Sequence, residues 1–171
     1  MESGKADPGS VARGWGPVSV GRKKVSVADE TKRRNARLVL APYGTDFSDK
    51  LSPGVERLPR LAARHGAVIC PWWSAMKMAA AEKPGFMLWD AKVKGHPGLG
   101  SVYLNTCAFV YCLTDKSPEE FSLAPTFRGW ADSEPEQTLP IKEAKWFQNI
   151  AWQAWLDAKR DVAAVKSTLS E

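Results

Sequence analysis

A chain of 171 residues, 44% hydrophobic and 25% charged, can bury one core of ordinary size and is too short for two full domains. Its 12 prolines and 13 glycines are spread along the chain, which excludes many long uninterrupted elements and leaves room for one long helix among irregular structure. The net charge of +5 lies entirely in the first forty residues, where nine Lys/Arg meet four Asp/Glu, and the rest balances at fifteen of each.

Residues 1–25 read as an extended basic arm. Gly4, Pro8, Gly9, Gly14, Gly16, Pro17 and Gly21 interrupt it, and Trp15, Val18 and Val20 are isolated apolar anchors that need a partner. Neither a secretory signal nor an acid-poor transit peptide is read in residues 1–10, which hold Glu2 and Asp7 and no apolar core. Arg22, Lys23 and Lys24 begin the basic cluster. Ser26 followed by Asp29 resembles a capping box, and Asp29 and Glu30 precede Lys32, Arg33, Arg34 and Arg37, the order a helix dipole favours. The pattern predicts a helix over 27–40, stopped by Pro42.

Residues 41–52 read as a loop. A short helix is predicted over 58–65, with Pro59 in its first turn and Gly66 as its C-cap. A second helix starts at Pro71 and runs through WWSAMKMAAAEK to the Pro84-Gly85 stop, and the pair is expected to form a short helical hairpin. Residues 86–92 and 102–113 are strand candidates, the second equally compatible with a helix. The longest uncharged stretch, 95–114, approaches bilayer length. His96, Pro97, Asn105 and its glycines leave only 101–113 strongly apolar, so a buried protein segment is expected and no membrane span. Residues 117–140 hold Pro118, Pro125, Pro135 and Pro140 and read as loop. That region overlaps an acidic stretch of Asp115, Glu119, Glu120, Asp132, Glu134 and Glu136.

From residue 141 to about 169 the chain runs without Gly or Pro, in residues with strong helix preference. At about 100° per residue, Ala144, Phe147, Ala151, Ala154, Trp155, Ala158, Val162, Val165 and Leu169 form one apolar stripe. Trp146, Ile150, Trp152 and Leu156 lie off it, which implies contact on two or three sides.

The chemistry-bearing residues are few. Cys70, Cys107 and Cys112 are an odd number at spacings that fit no disulfide scaffold, which favours a reducing compartment over secretion. On a helix, Cys-x4-Cys sets its thiols about 140° apart, unlike a zinc knuckle, so buried free thiols are expected and no metal. His65 reads as a helix-terminal residue and His96 as part of a Gly-His-Pro-Gly turn, neither in a recognisable catalytic setting. Gly98-Leu99-Gly100-Ser101 lacks the other glycines and the lysine of a phosphate loop and reads as a turn.

The expected architecture is mainly α with extensive irregular segments: an arm (1–25), a small irregular helical region with a central apolar segment and an acidic Pro-rich loop (26–140), and a long C-terminal helix (141–171). Short β-strands are compatible with it. The expected function is that of a non-enzymatic accessory subunit, without cofactor, in a large multiprotein assembly of the mitochondrial respiratory-chain or ATP synthase type. Eight tryptophans are more than such a core needs, and tryptophan is enriched where surfaces meet. The expected interface anchors are Trp15, Trp72, Trp73, Trp146, Trp152 and Trp155. The basic residues of 1–40 suit RNA or anionic lipid as well as protein. The alternatives are an organelle ribosomal or RNA-associated protein and a cytoskeletal, axonemal lining protein.

Overall fold

The computed structural model describes residues 18–20, 23–41, 57–84, 98–120, 123–124, 126–127 and 136–169. They fall into two units, one within Met1–Leu38 and the other within Val39–Glu171.

In the first unit, β1 (Val18–Val20) and β2 (Lys23–Val25) pair antiparallel, Val18 opposite Val25 and Val20 opposite Lys23. Part of the segment expected to be irregular is therefore a short ladder, because its valines favour extended backbone. Helix α1 spans Val27–Arg33. Ser26 caps it as the sequence predicts: the Asp29 N–H donates to Ser26 Oγ at 3.1 Å, and the Ser26 hydroxyl donates to Asp29 Oδ2 at 2.5 Å. The helix ends well before the predicted residue 40. Asn35 takes the left-handed conformation at φ 51°, its N–H donating to Lys32 C=O at 3.0 Å while the Ala36 N–H reaches back to Thr31 C=O at 2.8 Å. This double closure satisfies the last carbonyls, and Asn tolerates positive φ better than other non-glycine residues do.

The second unit holds β3 (Val39–Leu40), α2 (Leu58–His65), β4 (Val68–Ile69), α3 (Trp72–Glu82), α4 (Leu99–Thr114), β5 (Thr126–Phe127), β6 (Gln137–Thr138) and α5 (Ile141–Leu169). β3 and β4 are parallel, and the Cys70 N–H extends their pairing to Leu40 C=O at 2.9 Å. β5 and β6 form a small antiparallel ladder inside the region predicted as loop. Gly66 closes α2 at φ 63°, and the Ala67 N–H donates to Ala62 C=O at 3.0 Å, as expected of a glycine C-cap.

The ambiguous segment 102–113 is helical. The buried positions of α4, Gly100, Ser101, Tyr103, Leu104, Cys107, Ala108, Tyr111 and Cys112, recur every three or four residues, the period of one helix face and not of a strand. The other strand candidate, 86–92, lies outside the described residues.

α5 is the centre of the second unit. It packs against α2, α3 and α4, and α3 also packs against α4. The consecutive helices α2 and α3, expected as a hairpin, are thus held chiefly by docking on α5. From α5 the core takes Ala144, Phe147, Ile150, Ala151, Ala154, Trp155 and Ala158, and the helices packed on it bury Trp73, Met76 and Ala79 of α3 and Leu104, Ala108 and Tyr111 of α4 among others. Each large side chain so buried contributes roughly 1.5–3 kcal/mol. Burial ends near Ala158: Val162 and Val165 are half-buried and Leu169 is exposed, so the stripe continues in sequence beyond the helices that cover it. No helix among the described residues is long and apolar enough to cross a membrane.

Candidate functional site

Of the expected interface tryptophans, Trp15 lies outside the described residues. Trp72, Trp73 and Trp155 belong to the core of the second unit, at 9%, 5% and 6% exposure. Trp72 and Trp73 meet edge to face with centroids 5.5 Å apart. The Trp155 Nε1–H donates to Asp115 Oδ1 at 2.8 Å, and Lys159 Nζ reaches the same oxygen at 2.6 Å. Asp115 sits in the left-handed conformation, φ 56°, at the C-cap of α4, so this cluster ties the end of α4 to α5.

Trp146 and Trp152 are half-buried and are also engaged within the chain. The Trp146 Nε1–H donates to Glu82 Oε2 at 2.8 Å, and Lys83 Nζ lies 3.9 Å from the ring centroid, pinning the end of α3 to α5. Trp152 meets Tyr111 edge to face at 5.6 Å. The off-stripe positions of α5 do mark contact on further sides, and α3 and α4 of the same chain supply it.

Sequence reasoning missed the outward face of α4. Val102, Phe109 and Leu113 are 37%, 39% and 48% exposed, with exposed Thr106 between them. The spacing is that of one helix face, and no charged residue occurs in Leu99–Thr114. The Thr106 hydroxyl donates to Val102 C=O and that of Thr114 to Val110 C=O, both at 2.8 Å, so the helix satisfies these donors itself. The spacing becomes readable only once the segment is known to be helical.

In the first unit, Lys32, Arg33, Arg34 and Arg37 are exposed, while Arg22 lies outside the described residues and Lys23 and Lys24 are placed by their strand alone. Glu30 joins two of the arginines: Arg33 Nε and Nη2 donate to its oxygens at 2.8 and 2.6 Å, and Arg34 Nε at 2.6 Å. The hydrogen bonds from Arg33 and Arg34 hold the Glu30 carboxyl at about 2, well below the usual carboxylate range.

The three thiols are free and buried. A hydrogen bond with the Cys112 thiol, together with burial, pushes Cys70 upward, and burial pushes Cys107 up to about 12, which keeps both protonated and poorly nucleophilic. The described residues hold no group of three or more metal-ligating side chains. His65 is exposed at the end of α2, and His96 lies outside the described residues. Gly98-Leu99-Gly100-Ser101, expected as a turn, instead supplies the N-cap and first turn of α4, with Gly100 and Ser101 buried. A buried polar cluster joins α4 and α5: Gln148 Nε2 donates to Tyr103 Oη at 2.6 Å, and the Tyr103 hydroxyl donates to Leu123 C=O at 2.8 Å. An open groove of about 660 Å³ between the start of α2 and the end of α5 is lined by Pro59, Arg60, Asp161, Val165 and Leu169 among others, with no His or Cys.

No protein-family model matches the chain, and no similar curated protein or solved structure is found. The functional reading therefore rests on the surfaces just described.

Proposed function

We propose that the chain is a non-catalytic accessory subunit of a large multiprotein assembly, held to neighbouring subunits by the outward face of α4 and by the basic residues of its first unit. The observation that carries this reading is the α4 face. Elsewhere the exposed helix surfaces carry charge, as with Arg60 and Arg64 on α2, Glu82 on α3 and Lys142, Lys145 and Arg160 on α5. Among the described residues, Ile141 and Leu169 are exposed singly near the ends of α5, whereas α4 turns Val102, Phe109 and Leu113 outward together along one face of a helix that carries no charge. Covering such a face contributes roughly 25 cal/mol per Å² of apolar area removed from water, and contiguous apolar patches mark interaction sites.

The assembly proposed is mitochondrial, of the respiratory-chain or ATP synthase type. Support for that compartment is compositional: many tryptophans and cysteines that form no disulfide in a short basic chain. The test is native purification of the tagged chain beside its Phe109→Lys/Leu113→Lys variant. The intact chain should migrate in a large complex with oxidative-phosphorylation subunits, and the variant should run alone with unchanged thermal unfolding. An intact chain that runs as a monomer at 18.8 kDa refutes the proposal.

A second reading, an RNA-associated protein of an organelle ribosome, is favoured by one observation: all of the net charge falls within Met1–Leu38, which is also a separate structural unit. Co-migration with ribosomal subunits would support it over the first.

A further inference from the structure

The first unit offers a more specific feature than its net charge. At the C-terminal end of α1, two consecutive guanidinium groups converge on one carboxylate: Arg33 grips Glu30 through Nε and Nη2 at 2.8 and 2.6 Å, and Arg34 adds Nε at 2.6 Å on an oxygen that Arg33 also holds. A planar guanidinium fork matches two oxygens on one anionic centre, which a phosphodiester presents as well as a carboxylate does. Exposed Lys32 and Arg37 flank the fork, so four cationic side chains lie within six residues.

We propose that the Arg33–Arg34 fork is a phosphate contact for the backbone of a single-stranded nucleic acid, closed in the free chain by Glu30 and opened when a phosphate displaces that carboxylate. The inference rests on the second reading above, in which the first unit contacts RNA, and adds the site and its internal competitor. A lipid surface fits less well. The apolar residues of α1 are Val27 and Ala28, both at its N-terminal end, so the helix has no apolar face to insert among acyl chains. A nucleic-acid strand needs none, since its phosphates recur along the chain and each neutralised phosphate releases counterions.

The test uses the intact chain and a fluorescein-labelled oligouridylate, followed by anisotropy across a salt series. One phosphate held by the fork and two more met by Lys32 and Arg37 predict a slope of log K against log salt of about −2. Glu30→Gln should tighten binding about fivefold. Asp29→Asn, which removes the same charge one residue away from a carboxylate that pairs with Ser26 instead, should change it less than about twofold. Arg33→Lys/Arg34→Lys keeps the net charge but loses the fork, and should weaken binding about fivefold with helix content retained.

Equal effects of Glu30→Gln and Asp29→Asn, or an unaltered affinity in the double lysine variant, overturn the fork while leaving the polyanion reading in place. Absence of salt-dependent RNA binding overturns both. Tighter binding to phosphatidylserine vesicles than to the oligonucleotide overturns the nucleic-acid assignment in favour of lipid.

Discussion

Two ionisable groups show how far their environments set their behaviour. Glu30 is half-buried, and its carboxyl is held at about 2 against an ordinary 4.5 by the hydrogen bonds of Arg33 and Arg34. A lowered folded pKa means that the clamp's contribution to α1 is complete above about 4.5 and is lost as pH falls toward 2. Carbon-detected titration of side-chain carboxyls should place Glu30 near the low end, and a midpoint in the ordinary range would mean that the arginines do not hold it. Cys107 moves the other way, raised by burial from 9.0 to about 12, with Tyr103, Tyr111 and Cys70 raised too. A raised folded pKa contributes stability that is present below about 9 and lost as pH rises toward 12. Denaturant midpoints should therefore fall between neutral pH and strongly alkaline pH, with Ellman's reagent reacting only as the chain unfolds. Prompt labelling of native thiols would contradict their burial. The Ser26 cap and the Gly66 terminus were legible in the sequence because each depends on a few adjacent residues. The end of α1 was not: Pro42 reads as the stop, whereas the chain leaves the helix at Asn35 through a left-handed backbone that few local signals mark.

At the scale of elements, α5 was the most legible, because propensity and a period near 3.6 agree over its whole length. What the period could not give is where cover ends. Ala154, at 1% exposure, faces neighbouring helices, whereas Ala163 is exposed beyond the covered part. Ala154→Leu should therefore destabilise by about 1–3 kcal/mol through overpacking. Ala163→Leu should stay within about 0.5 kcal/mol of the parent. Urea midpoints compare the two, and equal costs would mean that α5 is covered to its end. α4 was the least legible element. An uncharged run of aromatic, aliphatic and small residues shows little polar contrast between faces, so helix and strand remained equivalent until the packing of α3 and α5 chose one side.

At the scale of the whole molecule, the boundary between charge classes and the boundary between structural units nearly coincide: the net +5 falls within residues 1–38, and the described helices of the balanced remainder pack around α5. The proposed division of labour, electrostatic contact at one end and apolar contact on α4, belongs to this scale. The Phe109→Lys/Leu113→Lys pair probes it because both side chains are 39–48% exposed, so replacing them should alter assembly and leave the melting temperature of the free chain within a degree or so. A large drop in that temperature would make them core residues.

The sequence by itself determined the long C-terminal helix, two of the helix termini, the confinement of charge to the N-terminal region and the mainly helical class, because these depend on local hydrogen bonding, propensity and composition. Only the tertiary structure decided which tryptophans are interior. Trp72, Trp73 and Trp155 are large apolar groups that suit a core and an interface equally well, and the difference lies in whether the same chain supplies the neighbours. Here α3, α4 and the Asp115–Lys159 cluster supply them, while among the described residues Val102, Phe109 and Leu113 of α4 stay 37–48% exposed.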